Sequence, residues 1–325
     1  MTDPSEWRAM RSTRVIIVNY RTAELVIDCL RTLDPEVRSE ADCRVVVVDN
    51  ASGDGSVEKL RAAIAAENWT WAEVLSLEIN GGFAAGNNAA FRPLLKSSTP
   101  PDYFHLLNPD TYIHPGAVTR LIDYLEAHSA VGIVGSRLEN PDGTPQSSAF
   151  RFHGVLSEFE RGLRLGLATR LLCRWMVAPP TRGETHPTDW VNGASMMIRR
   201  EVLESIGLFD EGFFLYFEET DFCQRAKRAG WPSWFVPESR VVHLEGRSTG
   251  VTGAERARKR LPAYYLASRR RYFRKHHGAG YEFSANLAHL IAYSFWRARK
   301  WLQRKPNQDP PHYLRDMFLH TFWLK

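Results

Sequence analysis

The stretch YFHLLNPDTYIHPG, residues 103–116, runs from a mostly apolar segment straight into Asn108-Pro109-Asp110. Short, nearly continuous apolar runs of this kind read as strands covered on both faces, as in a parallel sheet. The chain must turn at Asn-Pro-Asp. Taken alone, Asp110 is as readily a turn former as a ligand. The segments on either side decide which.

Upstream, RVIIVNY (14–20) and CRVVVVDN (43–50) are two more β-branched strands, ending in Asn19-Tyr20 and Asp49-Asn50. Helical spacing of Leu25, Cys29 and Leu33 fills the gap between them, and SVEKLRAAIAAE (56–67) gives a second helix. AEVLSLE (72–78) is a further strand, and NGGFAAGNNAAFRPLL (80–95) is a glycine-rich loop entering a helix. After Asp110 come PGAVTRLIDYLEAH (115–128), a helix with proline near its start, and the strand VGIVGSRL (131–138). The alternation predicts an α/β fold with a mostly parallel central sheet flanked by helices. Ligands in such sheets sit beyond the carboxyl ends of the strands. Three successive polar strand ends therefore point to one shared crevice. No strand leads into GxGxxG and no GxxxxGK[ST] occurs, which argues against dinucleotide and P-loop chemistry.

Residues 151–189 break the pattern and read as an insertion or a mobile lid; it resumes at WVNGASMMIRREVLESIG (190–207). Beyond residue 253, helices are predicted over 254–277, 282–304 and 312–323. Residues 246–325 hold 17 Lys and Arg against 4 Asp and Glu, a charge of +13, which leaves −8 on the rest. An acidic body with a basic tail fits a chain working beside an anionic surface. In the helix after Tyr281, Phe283, Leu287, Leu290, Ile291, Phe295, Trp301 and Leu302 share one face, near Arg297, Arg299, Lys300 and Arg304. That is the pattern of an interfacial helix, although the same stripe could pack on the catalytic body. The four scattered cysteines form no CxxC pair, so neither a zinc ribbon nor a disulfide framework is expected and a reducing cytosol is the default. Neither a signal-peptide core nor an eighteen-residue apolar run is visible.

Several groups carry candidate chemistry. Asp49 can accept the imide N–H of a uracil or thymine ring, or serve as a turn and cap residue. Asn80, Gly81, Gly82, Gly86 and Asn87 are candidates for the phosphate side, since glycines admit close backbone approach and helix N-termini favour anions. Asp110 and His243, each at a strand end, suit a hard divalent cation shared with ligand phosphates. Glu218, Glu219 and Asp221 follow the aromatic run FFLYF (213–217) and open a helix. Acids there favour the macrodipole, and Asp221 and Arg225 are spaced for an ion pair. A carboxylate beside an apolar wall can also be tuned into a general base.

In order, VIIVNYRTAELVIDCLRTL, VVVVDNASGDGS, NGGFAAGNNAAF, LLNPDTYIHPGAV, VNGASMMIRREVLESIGLFDEGFFLYFEETDFCQRAKRAGW and VVHLEGRSTG resemble the motif set of glycosyltransferase family 2, and most of all its bacterial rhamnosyltransferase-like branch. The resemblance covers about residues 13–250 and implies a GT-A fold. Its nucleotide-binding part would be 13–136 and its acceptor and catalytic part 137–250, followed by a helical basic extension over 251–325. It implies that Asp49 recognises the base, with Asn19, Tyr20 and Arg21 lining the nucleotide. Asp110 takes the last position of the DxD metal motif, whose first position is Asn108 here, and His243 takes an additional metal or diphosphate position. Glu219 takes the place of the catalytic base, with Glu where the family has Asp, so that Glu218 and Asp221 stay in contention. Trp190, Asn192 and Gly193 match a loop bordering the donor sugar and acceptor.

The expectation is an inverting, metal-dependent (Mg²⁺ or Mn²⁺) glycosyltransferase using a dTDP- or UDP-linked nucleotide sugar. dTDP-L-rhamnose is the first choice; UDP-galactofuranose and UDP-N-acetylglucosamine are the alternative. The acceptor would be a glycan or polyprenyl diphosphate in cell-surface polysaccharide synthesis. The expected place is the cytoplasm, peripheral on the inner face of the plasma membrane, with no nucleic acid as partner. Two other classes compete. A nucleotidyltransferase usually needs a glycine after its first strand, which VNYRTAE lacks. A non-catalytic nucleotide-sugar-binding protein with a basic interaction tail would not need Asp110, Glu219 and His243 together.

Overall fold

The computed structural model describes residues 11–40, 42–244, 246, 259–306 and 309–322. Its elements run β1 (Ser12–Asn19), α1 (Ala23–Ser39), β2 (Asp42–Asp49), α2 (Ser56–Ala66), β3 (Ala72–Ser76), α3 (Gly82–Leu95), β4 (Tyr103–Leu107), β5 (Thr111–Ile113), α4 (Ala117–Ala127) and β6 (Ile133–Glu139). There follow β7 (Ala149–Phe150), α5 (Val155–Leu163), α6 (Gly166–Leu171), β8 (His186–Thr188), β9 (Trp190–Val191), β10 (Ser195–Arg199), α7 (Arg200–Ile206), α8 (Glu218–Arg228) and β11 (Ser233–His243). Three helices, α9 (Ala263–His277), α10 (Ala279–Leu302) and α11 (Tyr313–Phe322), complete the described chain.

The main sheet has the order β3-β2-β1-β4-β10-β6-β11-β5, with β8 added beside β11. Neighbours β3, β2, β1 and β4 are parallel, β10 runs antiparallel between β4 and β6, and β6 and β11 are parallel again. This is the mostly parallel α/β sheet read from the sequence. Val15, Ile17, Val45 and Val47 pack under α1, and Ile16, Val46 and Val48 belong to the layer beneath α3. Both faces are covered, which is why these strands are apolar without alternation.

Register converges the polar ends. Asn19 pairs with Asp49 across β1 and β2. The reversed strand β10 sets Ser195 opposite Leu107, which brings the loop at Asn192 to the end of β4. The short antiparallel pair of β5 and β11 sets His243 opposite Thr111, one residue from Asp110.

One expectation needs correction. The 151–189 region is not a free lid over its first helix. Glu158 on α5 is fully buried and meets Arg269 Nη2 at 2.9 Å and Arg161 Nη2 at 3.2 Å, with His153 and His289 alongside. Burial opposes its charge, yet these cations outweigh it and hold the carboxyl well below its ordinary range. Gly162 lies where a Cβ would come within 2.8 Å of the His289 carbonyl, so α5 and α10 pack backbone to backbone. The basic run of α9 is largely paired within the fold. Arg271 and Lys275 bind Asp210, Arg269 binds Glu158, and Arg274 binds Glu282. The predicted onset of α9 at 254 falls outside the described residues, and the helix is described from Ala263.

Candidate active site

The crevice lies at the carboxyl ends of β1, β2 and β4. On its nucleotide side, Asn19 Nδ2 donates to Asp49 Oδ1 at 2.7 Å. Ser52 gives that carboxylate its hydroxyl at 2.6 Å and its backbone N–H at 3.0 Å. Asp49 is therefore buried and organises the turn after β2, rather than presenting an open carboxylate to a ring. Tyr20 and Arg21 are exposed at the rim, with the Arg21 guanidinium 5.1 Å from the Tyr20 ring centre and its Nε donating to the Ser52 carbonyl.

The glycine-rich stretch is mostly helix. Gly86 and Asn87 sit a turn inside α3 and are buried, and a Cβ on Gly86 would come within 2.8 Å of Val18. Gly86 thus packs α3 closely on β1, while Asn87 donates to the Phe83 carbonyl and keeps its Oδ1 buried with no hydrogen-bond partner among the described residues. Asn80 and Gly81 do lie in the turn, which Asn50 holds by donating to Asn80 Oδ1 at 2.9 Å and accepting from Gly81 N–H. Gly82 has φ +84°, and a Cβ there would fall 1.9 Å from the Phe214 carbonyl oxygen. Phe83 N–H donates to that oxygen at 2.9 Å, so the nucleotide-side turn is bonded directly to the aromatic run before α8. A lone glycine among several gave no sign of this contact.

At the metal position, His243 Nε2 is 3.5 Å from Asp110 Oδ1. Gln146 grips the histidine twice: its amide donates to the His243 carbonyl at 2.8 Å, and its oxygen lies 3.3 Å from Nδ1. That pairing favours a ring proton on Nδ1, with Nε2 facing both Asp110 and, at 3.4 Å, the Asn108 amide. One carboxylate oxygen beside one imidazole nitrogen is a donor pair that fits a divalent cation, with phosphate oxygens and water completing the shell. Among the described residues no third His, Cys, Asp or Glu joins them. Gln146 had no sequence signal, because it reaches His243 only across the fold.

The three acids of α8 separate by environment. Asp221 is fully buried and already engaged by His276, Lys275 and Arg225. Burial pushes its pKa up, but those hydrogen bonds and charges prevail and lower it. Glu218 is buried, and desolvation, followed by the charge of Glu219, raises its pKa well above the ordinary value. Desolvation lifts Glu219 to about 7, and this residue keeps partial access to solvent. Tyr216 and Phe217, immediately before them, hold φ of 70° and 69°. Left-handed backbone at two bulky residues is strained, and such strain clusters where a side chain must be aimed.

Trp190 faces inward. Its ring stacks on Phe150 at 4.1 Å and its indole N–H donates to the Arg151 carbonyl, so it supports the loop instead of bordering a sugar. Asn192 is half-buried, and Gly193 lies against the Phe83 ring. The aromatic run before the acids gains a member that the sequence reading missed, Tyr264 of α9: Phe214 lies 5.4 Å from it and Tyr216 6.2 Å.

The sequence model of Glycosyl transferase family 2 matches residues 14–207, and that of Glycosyl transferase family group 2 matches 151–320. An N-acetylglucosaminyl-diphospho-decaprenol L-rhamnosyltransferase of Mycobacterium tuberculosis is 26% identical over 305 residues, covering 89% of this chain and 88% of its own. A dTDP-rhamnosyl transferase, RfbF, of Shigella flexneri is 24% identical over 73% of this chain and 71% of its own. Among solved structures, the mannosyltransferase PcManGT from Pyrobaculum calidifontis, in complex with GDP-Man and Mn²⁺, superposes with a TM-score of 0.54 over 97% of this chain and 88% of its own, at 16% identity. That likeness is one of fold, the GT-A type.

Proposed function

Because this chain belongs to glycosyl transferase family 2 and is a glycosyltransferase, we propose that it transfers L-rhamnose from dTDP-L-rhamnose to a polyprenyl-diphosphate-linked glycan, with inversion at the anomeric carbon. The observation that carries the catalytic part is the split among the acids of α8. Asp221 is locked into ion pairs, whereas Glu219 is unlocked, partly accessible and poised near 7.

Glu219 takes the proton from the acceptor hydroxyl as that oxygen attacks the anomeric carbon. A base poised near the working pH suits this task. Glu218, buried beside it, is biased toward its neutral form by desolvation and by the charge of Glu219. The aromatic wall of Phe214, Tyr216 and Tyr264 gives the acceptor an apolar face to lie on. Tyr20, Arg21 and the Asn80-Gly81 turn receive the nucleotide. Asp110 and His243 would hold Mg²⁺ or Mn²⁺, whose charge offsets that of the diphosphate leaving group. Support for the donor and the lipid-linked acceptor comes from the names of the relatives alone, both rhamnosyltransferases, one acting on a decaprenol diphosphate.

The test is transfer itself. The full chain is incubated with Mn²⁺, a short-chain polyprenyl-diphospho-N-acetylglucosamine, and dTDP-rhamnose, UDP-galactofuranose or UDP-N-acetylglucosamine in separate reactions, and products are read by mass spectrometry. A product from dTDP-rhamnose alone is expected. Product only from a UDP-sugar reassigns the donor. If every donor stays intact while binding is still detected, the chain is a nucleotide-sugar-binding protein.

A further inference from the structure

Helix α10 has two apolar faces, and only one of them is covered. Ala285, His289, Ala292, Tyr293 and Trp296 turn toward α5 and the neighbouring helices and are buried. Leu290, which the sequence places on the outer stripe, is buried as well, against Leu266 and Met317. On the opposite side Phe283, Leu287, Ile291 and Phe295 recur every fourth residue and are exposed, Ile291 by 57% and Phe295 by 59%. At about 100° per residue these four span an arc of about 120°.

Helix α11 repeats the pattern. Leu314, Phe318 and Phe322 are spaced by four and exposed. Phe283 and Phe322 meet edge to face, 5.8 Å apart, which joins the two stripes into one ridge. Trp301 and Leu302 extend it at the end of α10, both more than two-thirds exposed. Soluble monomers rarely leave so many large apolar side chains contiguous at the surface.

Charge selects the occupant. The acids of these two helices turn inward, Glu282 to Arg274 and Asp316 to Arg260. Arg304, Lys305 and Arg315 are exposed around the ridge, and Arg297 is half-exposed. Among the described residues of α10 and α11 the charges left at the surface are cations, and an apolar ridge beside them matches an anionic bilayer interface. No helix among the described residues is long and apolar enough to span a membrane, so the contact would be peripheral.

We infer that the joined outer faces of α10 and α11 are a docking surface for an anionic lipid membrane. The surface is tied to the catalytic helix, because α9 packs between them and binds Asp221 through His276 and Lys275. Docking therefore fixes the orientation of the crevice to the bilayer. The inference stands on the ridge itself and does not depend on the identity of the donor.

Flotation of the full chain with vesicles of phosphatidylglycerol and phosphatidylcholine tests it, against phosphatidylcholine alone and against a salt series. Ile291→Glu with Phe295→Glu, and separately Phe318→Glu, probe the two helices at exposed positions, with thermal melts to confirm folding. Expected are flotation with anionic vesicles, weakening with salt, and at least a tenfold loss in each variant that still melts as wild type. Wild type remaining at the bottom of the gradient with anionic vesicles, or folded variants floating as it does, overturns the inference. A concentration-dependent dimer that the variants dissociate, without vesicle binding, overturns it in favour of a second copy of the chain.

Discussion

Nε2 of His276 on α9 lies 2.7 Å from Oδ1 of Asp221 on α8, Lys275 Nζ reaches the same oxygen at 2.7 Å, and Arg225 Nε meets the other at 2.9 Å. The third acid of α8 is thus the tie between the catalytic body and the C-terminal helices. Its neighbours Glu219 and Glu218, two and three residues before it, make no such ion pairs among the described residues.

Asp221→Asn should be a folding variant. Removing one partner from a buried ion cluster leaves the others uncompensated, at a cost of about 3–5 kcal/mol. Urea unfolding should show that loss, with near-normal turnover in the fraction that stays folded. Full stability with turnover abolished would make Asp221 the base.

Glu219→Gln should keep its fold and its donor affinity while turnover falls by about 10²–10⁴, equivalent to roughly 3–5 kcal/mol of barrier. In the wild type the base must be unprotonated, so turnover should rise with pH through a limb near 7, the value to which burial lifts Glu219. A rate–pH profile flat from 5.5 to 8 (a test range of about one and a half units below to one above) would remove Glu219 from that role.

Glu218→Gln should stabilise the protein in alkaline solution. The folded-state pKa of Glu218 is raised by desolvation and by Glu219. Its contribution is full below the unfolded value and is lost as pH rises through the folded one. The melting temperature of the variant should therefore exceed that of wild type most at high pH and converge on it as pH falls below the unfolded value. A gain that grows as pH falls contradicts this sign.

Gln146→Ala should weaken Mn²⁺-dependent binding of dTDP by about 10–100-fold, as loss of an outer hydrogen bond to a ligating histidine commonly does. Binding in excess chelator should not change. Calorimetric titration distinguishes the two, and equal losses with and without metal would reduce Gln146 to a packing residue.

Gly82→Ala should damage both sides of the crevice at once. The new Cβ meets the Phe214 carbonyl and demands a positive φ, a combination costing more than about 1 kcal/mol. Both donor affinity and turnover should fall. Loss of stability alone would limit the Gly82–Phe214 contact to packing.

Much of this site was legible because it is written locally. Strand ends at Asn19, Asp49 and Asp110 follow from apolar runs that stop in turn residues, and the acids of α8 stand directly after the aromatic run FFLYF. What Gly86 touches was not legible, because a glycine that permits helix-to-strand packing looks, in one dimension, like a glycine that admits phosphate. Trp190 was misplaced because a loop position does not reveal which way its ring turns, and here Phe150 and the Arg151 carbonyl draw it inward.

The sequence by itself determined the α/β alternation, the polar strand ends and the presence of three acids at one helix start, because each depends on periodicity and turn chemistry within a few residues. Only the tertiary structure decided which acid is available. Asp221 is claimed by His276, 55 positions away, and His243 is aimed by Gln146, 97 positions away. The same holds for α10, whose two apolar faces look alike in sequence until α5 and α11 cover one of them. Long-range contacts set the burial and charge around a side chain, and those two quantities separate a base from a tether and a core face from a surface.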